Sequence, residues 1–412
     1  MGYPMKEKHI VFSWSMWILA ALFYSLDYFQ HTAPSVLLEP IANSINHSYT
    51  TVGSIMSIYF PIYAISQIPA GYLLDKYGIR RVLSIACIIV SIGLLISTIP
   101  AITALIIGRS IIAVGSAFAF LGALKTASAW LPKSVFPIAV GLTNTIGVAG
   151  GMLGQPFLNL LITKANWQHA LSIIAIFGFI LAALLALFLR TPAATASNIN
   201  KKQPYSQLLK DPQIWFIALY AGIMVGTVVN AFSELYDVLF LKNSFNLSTE
   251  SAAAVSSMIF IGIACGGPLH GIIANFFRHK KTWMQISCLC TIVSFTCIVF
   301  SSLININVAY IYILYFITGF FVSSMLLAFS LAKQKYHQNL HAIAFAIINM
   351  TIGICGFLFQ DLLGAMLHHF SGGTSNVVVA NSNLIFFHGF WVLLIPLFCS
   401  FILCSLYKKQ ST

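Results

Sequence analysis

Long apolar runs broken by short polar stretches recur from one end of the chain to the other. Each run reaches the roughly 20 residues that a helix needs to cross a bilayer. They predict twelve spans, over 10–35, 50–74, 80–99, 101–124, 135–162, 168–189, 213–238, 249–275, 282–304, 306–331, 339–367 and 384–407. The polar breaks alternate in charge. One set holds Lys6 and Lys8; Lys76, Arg80 and Arg81; Lys125 and Lys133; Arg190, Lys201, Lys202 and Lys210; Arg278, Lys280 and Lys281; Lys333 and Lys335; Lys408 and Lys409. That is eighteen of the 21 Lys and Arg residues; Lys164 and Lys242 fall on the other side and Arg109 within the fourth span. Cationic short loops stay in the cytoplasm, so both termini are expected there. A missed or invented helix would scramble the alternation.

Composition narrows the class further. The chain of 412 residues is 59% hydrophobic and 7% charged, with a mean hydropathy of +0.89, which excludes a soluble domain. The expectation is an all-α integral membrane protein whose spans leave only short loops and no room for a soluble catalytic domain. Its net charge of +12 is spread over seven basic segments, which suits anionic headgroups rather than a nucleic-acid surface. All eight cysteines lie in predicted spans and read as small buried apolar residues, with no disulfide framework and no zinc spacing. The first apolar run continues past Asp27 without a small-residue cleavage site, so it is expected to be a span rather than a signal peptide.

The chain also repeats itself. A polar stretch over 191–212, with Pro192 and Pro204, separates a first half, 1–190, from a second, 213–412. A shift of 200 residues sets Asn46 on Asn246, Ser48 on Ser248, Gly71 on Gly271 and Arg80-Arg81 on Lys280-Lys281. At a shift of 205, Asn144, Gly151 and Gln155 in the fifth span match Asn349, Gly356 and Gln360 in the eleventh. Two six-helix pseudo-repeats are therefore expected, with a substrate site near the midplane.

Between the second and third spans runs Gly71-Tyr-Leu-Leu-Asp75-Lys76-Tyr-Gly78-Ile-Arg80-Arg81. It resembles the G-x-L-x-D-R-x-G-R-R signature of the major facilitator superfamily, with Lys76 where Arg is commoner. Gly71 permits close approach of helix ends. Asp75 can pair with a cation or a helix N-terminus, and Arg80 and Arg81 suit headgroups. The second copy keeps Gly271 but has Asn275 in place of the aspartate. Arg109, followed by Ala113, Gly115, Ser116 and Ala117, is similar to the superfamily's fourth helix. Gly147, Gly150, Gly151, Gly154 and Pro156 resemble the glycine-rich motif of its drug–proton antiporters, although Gln155 separates the final Gly from Pro. The run from Phe23 to Ser35 is similar to the first helix of bacterial phagosomal-type nutrient transporters. The resemblance implies the major facilitator fold, a bacterial inner-membrane location and a gating role for Gly71, Asp75, Gly78, Arg80 and Arg81.

Ionisable groups inside a bilayer are costly, so each is a functional candidate. Tyr24, Asp27, Tyr28 and His31 recur at i, i+3, i+4 and i+7 on one face of the first span, with Gln30 beside them. Asp27 and His31 could share a proton; His31 could equally cap the helix at the outer interface. Asn230, Glu234 and Asp237 repeat the spacing in the seventh span, with Glu234 expected in the interior and Asp237 at the outer edge. Arg109 needs a carboxylate partner, Asp27 in the empty state, or an anionic substrate. Asn144, Gln155, Asn349 and Gln360 are cavity candidates, and Asp361 a further proton site. Each of these polar residues could instead join neighbouring helices. Tyr59, Tyr63, Phe120, Phe357 and Trp391 are candidate aromatic walls, and Lys125 is expected to snorkel.

These features predict a secondary transporter, a monomer driven by protons and without cofactor or metal. It would take up a small polar or zwitterionic metabolite such as an amino acid, peptide, nucleoside or organic anion. Efflux of an amphipathic compound or siderophore by proton antiport is the alternative. No P-loop is present for ATP hydrolysis, and no G-x-S-x-G or H-E-x-x-H for an intramembrane enzyme.

Overall fold

The computed structural model describes residues 7–47, 52, 55–191, 205–276, 280–304, 306–370 and 382–406. Every element among them is helical. Ten helices are long and apolar enough to cross a membrane. The predicted first and second spans coincide with α1 (Glu7–Thr32) and α3 (Tyr59–Tyr77), which fold as helices but are not among those ten. Both carry polar side chains, Tyr24, Asp27, Tyr28 and Gln30 on one and Tyr59, Tyr63, Gln67 and Asp75 on the other.

The helices cluster into two compact units, the first made of residues 1–139, 143–205 and 336–346 and the second of 140–142, 206–335 and 347–412. Of the predicted linker, residues 192–204 lie outside the described set.

In the first unit α1 stops at Thr32 because Pro34, at the first position of α2 (Pro34–Ile45), cannot continue its hydrogen-bond ladder. After α3 the chain turns through Gly78, whose φ of 84° only glycine adopts without strain, into α4 (Ile79–Ile96). The predicted fourth span is broken between α5 (Ile102–Ser116) and α6 (Ala119–Trp130); α7 (Phe136–Lys164) and α8 (Trp167–Phe188) follow. Asn166 caps α8 by accepting from the His169 N–H at 2.8 Å.

The second unit opens with α9 (Tyr205–Lys210) and α10 (Pro212–Val225), a π-helical segment (Gly226–Tyr236) and α11 (Asp237–Phe245). Then come α12 (Thr249–Phe276), α13 (Lys280–Ser301) and α14 (Val308–Val322). A 3-10 turn over Ser323–Leu326 leads to α15 (Leu327–Lys335). A second over Gln338–Leu340 precedes α16 (His341–Phe370), and α17 (Ser382–Leu406) ends the described chain.

Local geometry repeats where the sequence does. Asn46 closes α2 with φ 55° and Asn246 closes α11 with φ 52°; they are the only non-glycine residues of positive φ among those described. Asparagine tolerates this left-handed cap. The breaks α5/α6 and α14/α15 likewise fall at matching places in the two copies.

The glycine-rich stretch of α7 has a packing explanation inside the first unit. Gly147 faces Tyr24, Gly151 faces Tyr28 and Gly154 faces Phe29, so the ridge of α1 sits in a groove without Cβ atoms. A Cβ at Gly150 would lie 2.5 Å from the Ser25 carbonyl oxygen, and main chain cannot rotate away. Gly150→Val should therefore push α1 and α7 apart and cost about 1–3 kcal/mol or more. A drop in thermal midpoint of the detergent-solubilised protein checks this; an unchanged midpoint would show the helices are not in contact there.

The cysteines depart from expectation. Cys87, Cys288, Cys355 and Cys404 are buried, but Cys265, Cys297 and Cys399 are exposed on their helices, where a weakly polar thiol is tolerated at an apolar surface.

Candidate functional site

In the first unit Asp27 is 0% exposed, and one carboxylate oxygen accepts a 2.8 Å hydrogen bond from the Tyr59 hydroxyl of α3. Its other oxygen has no hydrogen-bond partner. The Arg109 guanidinium lies 5.0 Å from the centre of the Tyr59 ring and donates to the Gln30 carbonyl at 3.3 Å. The expected direct pair between Arg109 and Asp27 is not formed. Tyr59 stands between them, its hydroxyl on the acid and its ring under the cation. Electrostatic attraction is carried through a cation–π contact, which strengthens when water is excluded. Arg109 is 4% exposed and its Nε has no hydrogen-bond partner, so the cation is enclosed in the unit and not presented as an open anion anchor. Its head and Gln30 line a narrow apolar cleft with Leu94, Leu105 and Ile112, with room for no more than a water molecule.

The predicted face of α1 divides between two neighbours. Asp27 and Gln30 turn toward α3 and α5, whereas Tyr24 packs on Phe120 at 4.9 Å and meets Tyr28 edge-on at 5.9 Å. Asn144 is buried on α7, one residue beyond Thr143, which accepts from the Trp17 indole at 2.9 Å. The side chains of His31 and Gln155 lie outside the described set. Two partners were not assigned from sequence. Tyr59 was read only as an aromatic wall, and Gln67, eight residues on, is a fully buried amide with neither polar atom hydrogen-bonded. The regular spacing of Tyr59, Tyr63 and Gln67 at i, i+4 and i+8 was the signal available for both.

The signature between α3 and α4 is assembled within the same unit. Asp75 is 7% exposed and forms a 2.5 Å ion pair with Lys125 of α6. It also accepts the N–H groups of Ala342 at 3.3 Å and Ile343 at 3.2 Å, in the first turn of α16. Lys125 donates in addition to the Gln338 carbonyl. A carboxylate at a helix N-terminus satisfies orphan donors and the helix dipole together. Lys125 is thus not a snorkelling residue: it is 0% exposed, because the buried Asp75 offers a better partner than water. Gly71 brings α3 against that turn, where a Cβ would meet the Ala342 carbonyl at 2.9 Å. Ser128 hydrogen-bonds His341 beside it. Arg80 donates to the Ala186 carbonyl at 2.6 Å, and Arg81 is exposed.

In the second unit Asp237, expected at the outer edge, is buried. Glu234 is exposed and Asp237 is 1% exposed. The cause is the π-helical segment Gly226–Tyr236, in which each N–H bonds five residues back, as the Asp237 N–H does to the Phe232 carbonyl. The wider turn advances each residue less, so Asn230, Glu234 and Asp237 no longer share the stripe that a 3.6-residue period predicts. Gln360 donates to the Asn230 carbonyl at 2.9 Å, joining α16 to the π segment, while Asn349 is half-buried and Asp361 exposed.

Comparison with known proteins agrees with this architecture. A family model described as Major Facilitator Superfamily matches residues 17–360. The hexuronate transporter of Escherichia coli (strain K12) is 24% identical over 288 residues, 64% of this chain and 66% of that protein. The probable galactarate/D-glucarate transporter GudP of the same strain is 23% identical over 308 residues, 66% and 68%. The uncharacterized transporter YybO of Bacillus subtilis (strain 168) is 24% identical over 274 residues, 59% and 61%. The chain spans about half to two thirds of the length of the first of these curated relatives. Among solved structures, the Escherichia coli fucose:proton symporter FucP superposes with a TM-score of 0.71 at 16% identity, covering 96% of this chain and 99% of that one. The proton:xylose symporter XylE gives 0.70 at 13%, covering 98% and 97%. The family and these relatives are transporters, not enzymes. The ten apolar helices of bilayer length among the described residues, the Gly71–Arg81 signature and the family match converge: this multi-pass membrane protein belongs to the Major Facilitator Superfamily.

Proposed function

We propose that this chain is a proton-coupled importer that moves a small hydroxylated organic acid, carrying a single negative charge, across the bacterial inner membrane by alternating access of its two repeated halves. The observation that carries the coupling is Asp27, sealed from water and held by the hydroxyl of a tyrosine whose ring supports Arg109. An ionised carboxylate in that setting depends on Tyr59 and Arg109; a proton removes the dependence and loosens the link between α1, α3 and α5. Arg109 acts through Tyr59 as a positioning residue. Tyr24, Tyr28, Gln30, Asn144 and Gln155 of the first half, with Asn230, Asn349 and Gln360 of the second, are the substrate candidates, and hydroxyls and amides suit a polyhydroxylated carboxylate. His31, Glu234 and Asp361 remain secondary candidates for protons. The names of the relatives, hexuronate and galactarate/D-glucarate transporters, support an acidic sugar over an amino acid or nucleoside. A dianion is disfavoured, because Arg109 is already engaged.

Uptake into proteoliposomes tests this with a hexuronate, a hexarate, an amino acid and a nucleoside offered together under an inward proton gradient. Accumulation of the hexuronate that collapses with an uncoupler is expected. Gradient-driven loss of a preloaded amphipathic dye, with no uptake, would overturn it. Arg109→Ala should lower uptake by about tenfold or more, the loss of a desolvated cation–π contact of about 2 kcal/mol, and Arg109→Lys should restore part. Equal rates in all three proteins would remove Arg109 from the coupling.

A further inference from the structure

We propose that Asp237 is a second proton-carrying carboxylate, built into the second unit and independent of Asp27. It begins α11 at the end of the π segment and is 1% exposed. Phe232 and Phe240, before and after it, pack edge-on against Phe390, with Phe295 and Phe386 completing an aromatic cluster. Its polar neighbours are few and uncharged. Ser233 donates to a carboxylate oxygen at 3.3 Å, and Ser256 of α12 faces the same group. Tyr315 of α14, 0% exposed and beside Asp237, has a hydroxyl with no hydrogen-bond partner. Tyr315 is the titratable group that faces it; α12 contributes a serine, and α17 the rings of Phe386 and Phe390. Among the described residues no Lys, Arg or His forms an ion pair with Asp237.

These facts together point to a group that is neutral when sealed. An ionised carboxylate among aromatic rings in a bilayer requires a counter-charge, and the two serines, the Val238 N–H and one phenol supply only dipoles. A neutral acid fits the donors present: its carbonyl oxygen accepts from Ser233, with the unpartnered Tyr315 hydroxyl nearby. Loading forms an O–H bond on Asp237 with a proton taken from water on one side, cancelling the carboxylate charge. Release breaks that bond and returns the proton to water on the other. The π segment supplies the means of access, since an i to i+5 helix of eleven residues reverts to α geometry by a small change of register that would rotate Asp237 out of the cluster. Tyr315 falls 206 positions after Arg109, close to the repeat offset, so a phenol stands near the place that a guanidinium occupies in the first copy. The first acid works beside a cation; the second works by neutralisation alone. The transport role rests on the proton-driven uptake proposed above, whereas the protonation of Asp237 does not.

Infrared difference spectroscopy of the purified full chain in nanodiscs, titrated with pH, reads the acid directly. The carbonyl band of a protonated carboxyl should persist in Asp27→Asn, vanish in Asp237→Asn and shift in Tyr315→Phe, which keeps the ring and removes the neighbouring hydroxyl dipole. In proteoliposomes the ratio of protons to substrate should halve in Asp237→Asn. Identical spectra for the parent and Asp237→Asn proteins across the pH range would overturn the proposal. So would a carboxylate band that responds to sodium and not to pH, which would make the site a metal-cation site. Should Asp237→Asn fail to fold, the Tyr315→Phe shift decides alone, its absence counting against the proposal. Loss of proton-driven uptake in the parent protein with the Asp237 band intact would refute the function proposed above and leave this inference standing.

Discussion

Asp27→Asn should abolish accumulation against a gradient while leaving exchange of substrate across the membrane intact. Asparagine has the shape of a protonated aspartate and accepts from Tyr59 through its amide oxygen, so the local hydrogen bond at 2.8 Å survives. What disappears is the capacity to alternate between charged and neutral states. Without it the two halves can still reorient with substrate bound, but nothing ties that movement to proton flow. The measurement is paired: counterflow of labelled substrate at equal pH on both sides, and net uptake under an imposed gradient. Counterflow should stay within a few-fold of the parent protein and net uptake should fall to the level of empty liposomes. Loss of both would mean that Asp27 holds the fold or the substrate, and retention of both would exclude it from coupling. Tyr59→Phe is the sharper companion, since it keeps the ring under Arg109 and deletes only the hydroxyl that Asp27 uses.

Lys125→Ala should be the most destabilising single change in the first unit. Lys125 and Asp75 are both fully buried at the side chain, 2.5 Å apart. Removing one member of such a pair strands the other charge, at a cost of about 3–5 kcal/mol. Asp75→Asn with Lys125→Met should be milder than Lys125→Ala, because neither charge then remains. The amide oxygen can still accept from one of the two N–H groups, of Ala342 or Ile343, that the carboxylate's two oxygens accept. Thermal midpoints of Asp75→Asn, Lys125→Met and the double variant form the cycle; additive losses would show that the pair is not coupled. Uptake by the double variant carries the functional reading. If the cluster is a gate, it should transport with a leak of substrate down its gradient although it is stable.

The contrast between these two clusters shows what kind of information each needed. The Gly71–Arg81 signature is contiguous, and its glycines do local work: Gly78 at a positive φ and Gly71 at a close approach. Its partners are not contiguous. Lys125 lies fifty residues on, and the first turn of α16 more than two hundred and fifty. No periodicity along the chain names a contact at that separation. Asp27 was legible as an acid inside an apolar run, whereas its dependence on Tyr59 was not, because tyrosine is common in this chain and most copies only pack. The burial of Asp237 has a different origin. A helical period of 3.6 was assumed, and the π segment changed the period without any proline or glycine run to announce it.

By itself the sequence determined the class: apolar runs of bilayer length, the alternating basic gaps, the repeat marked by Asn46 and Asn246, and a family signature short enough to be read from one stretch. These follow from one-dimensional constraints, since the bilayer sets the length and polarity of each segment and the charge rule acts on each loop separately. Tertiary structure decided the pairings. It set Tyr59 between Arg109 and Asp27, buried Lys125 against Asp75, fitted α1 into the glycine groove of α7 and buried Asp237. Those outcomes depend on which side chains can satisfy one another once water is excluded, and that choice is made between segments brought together only by folding.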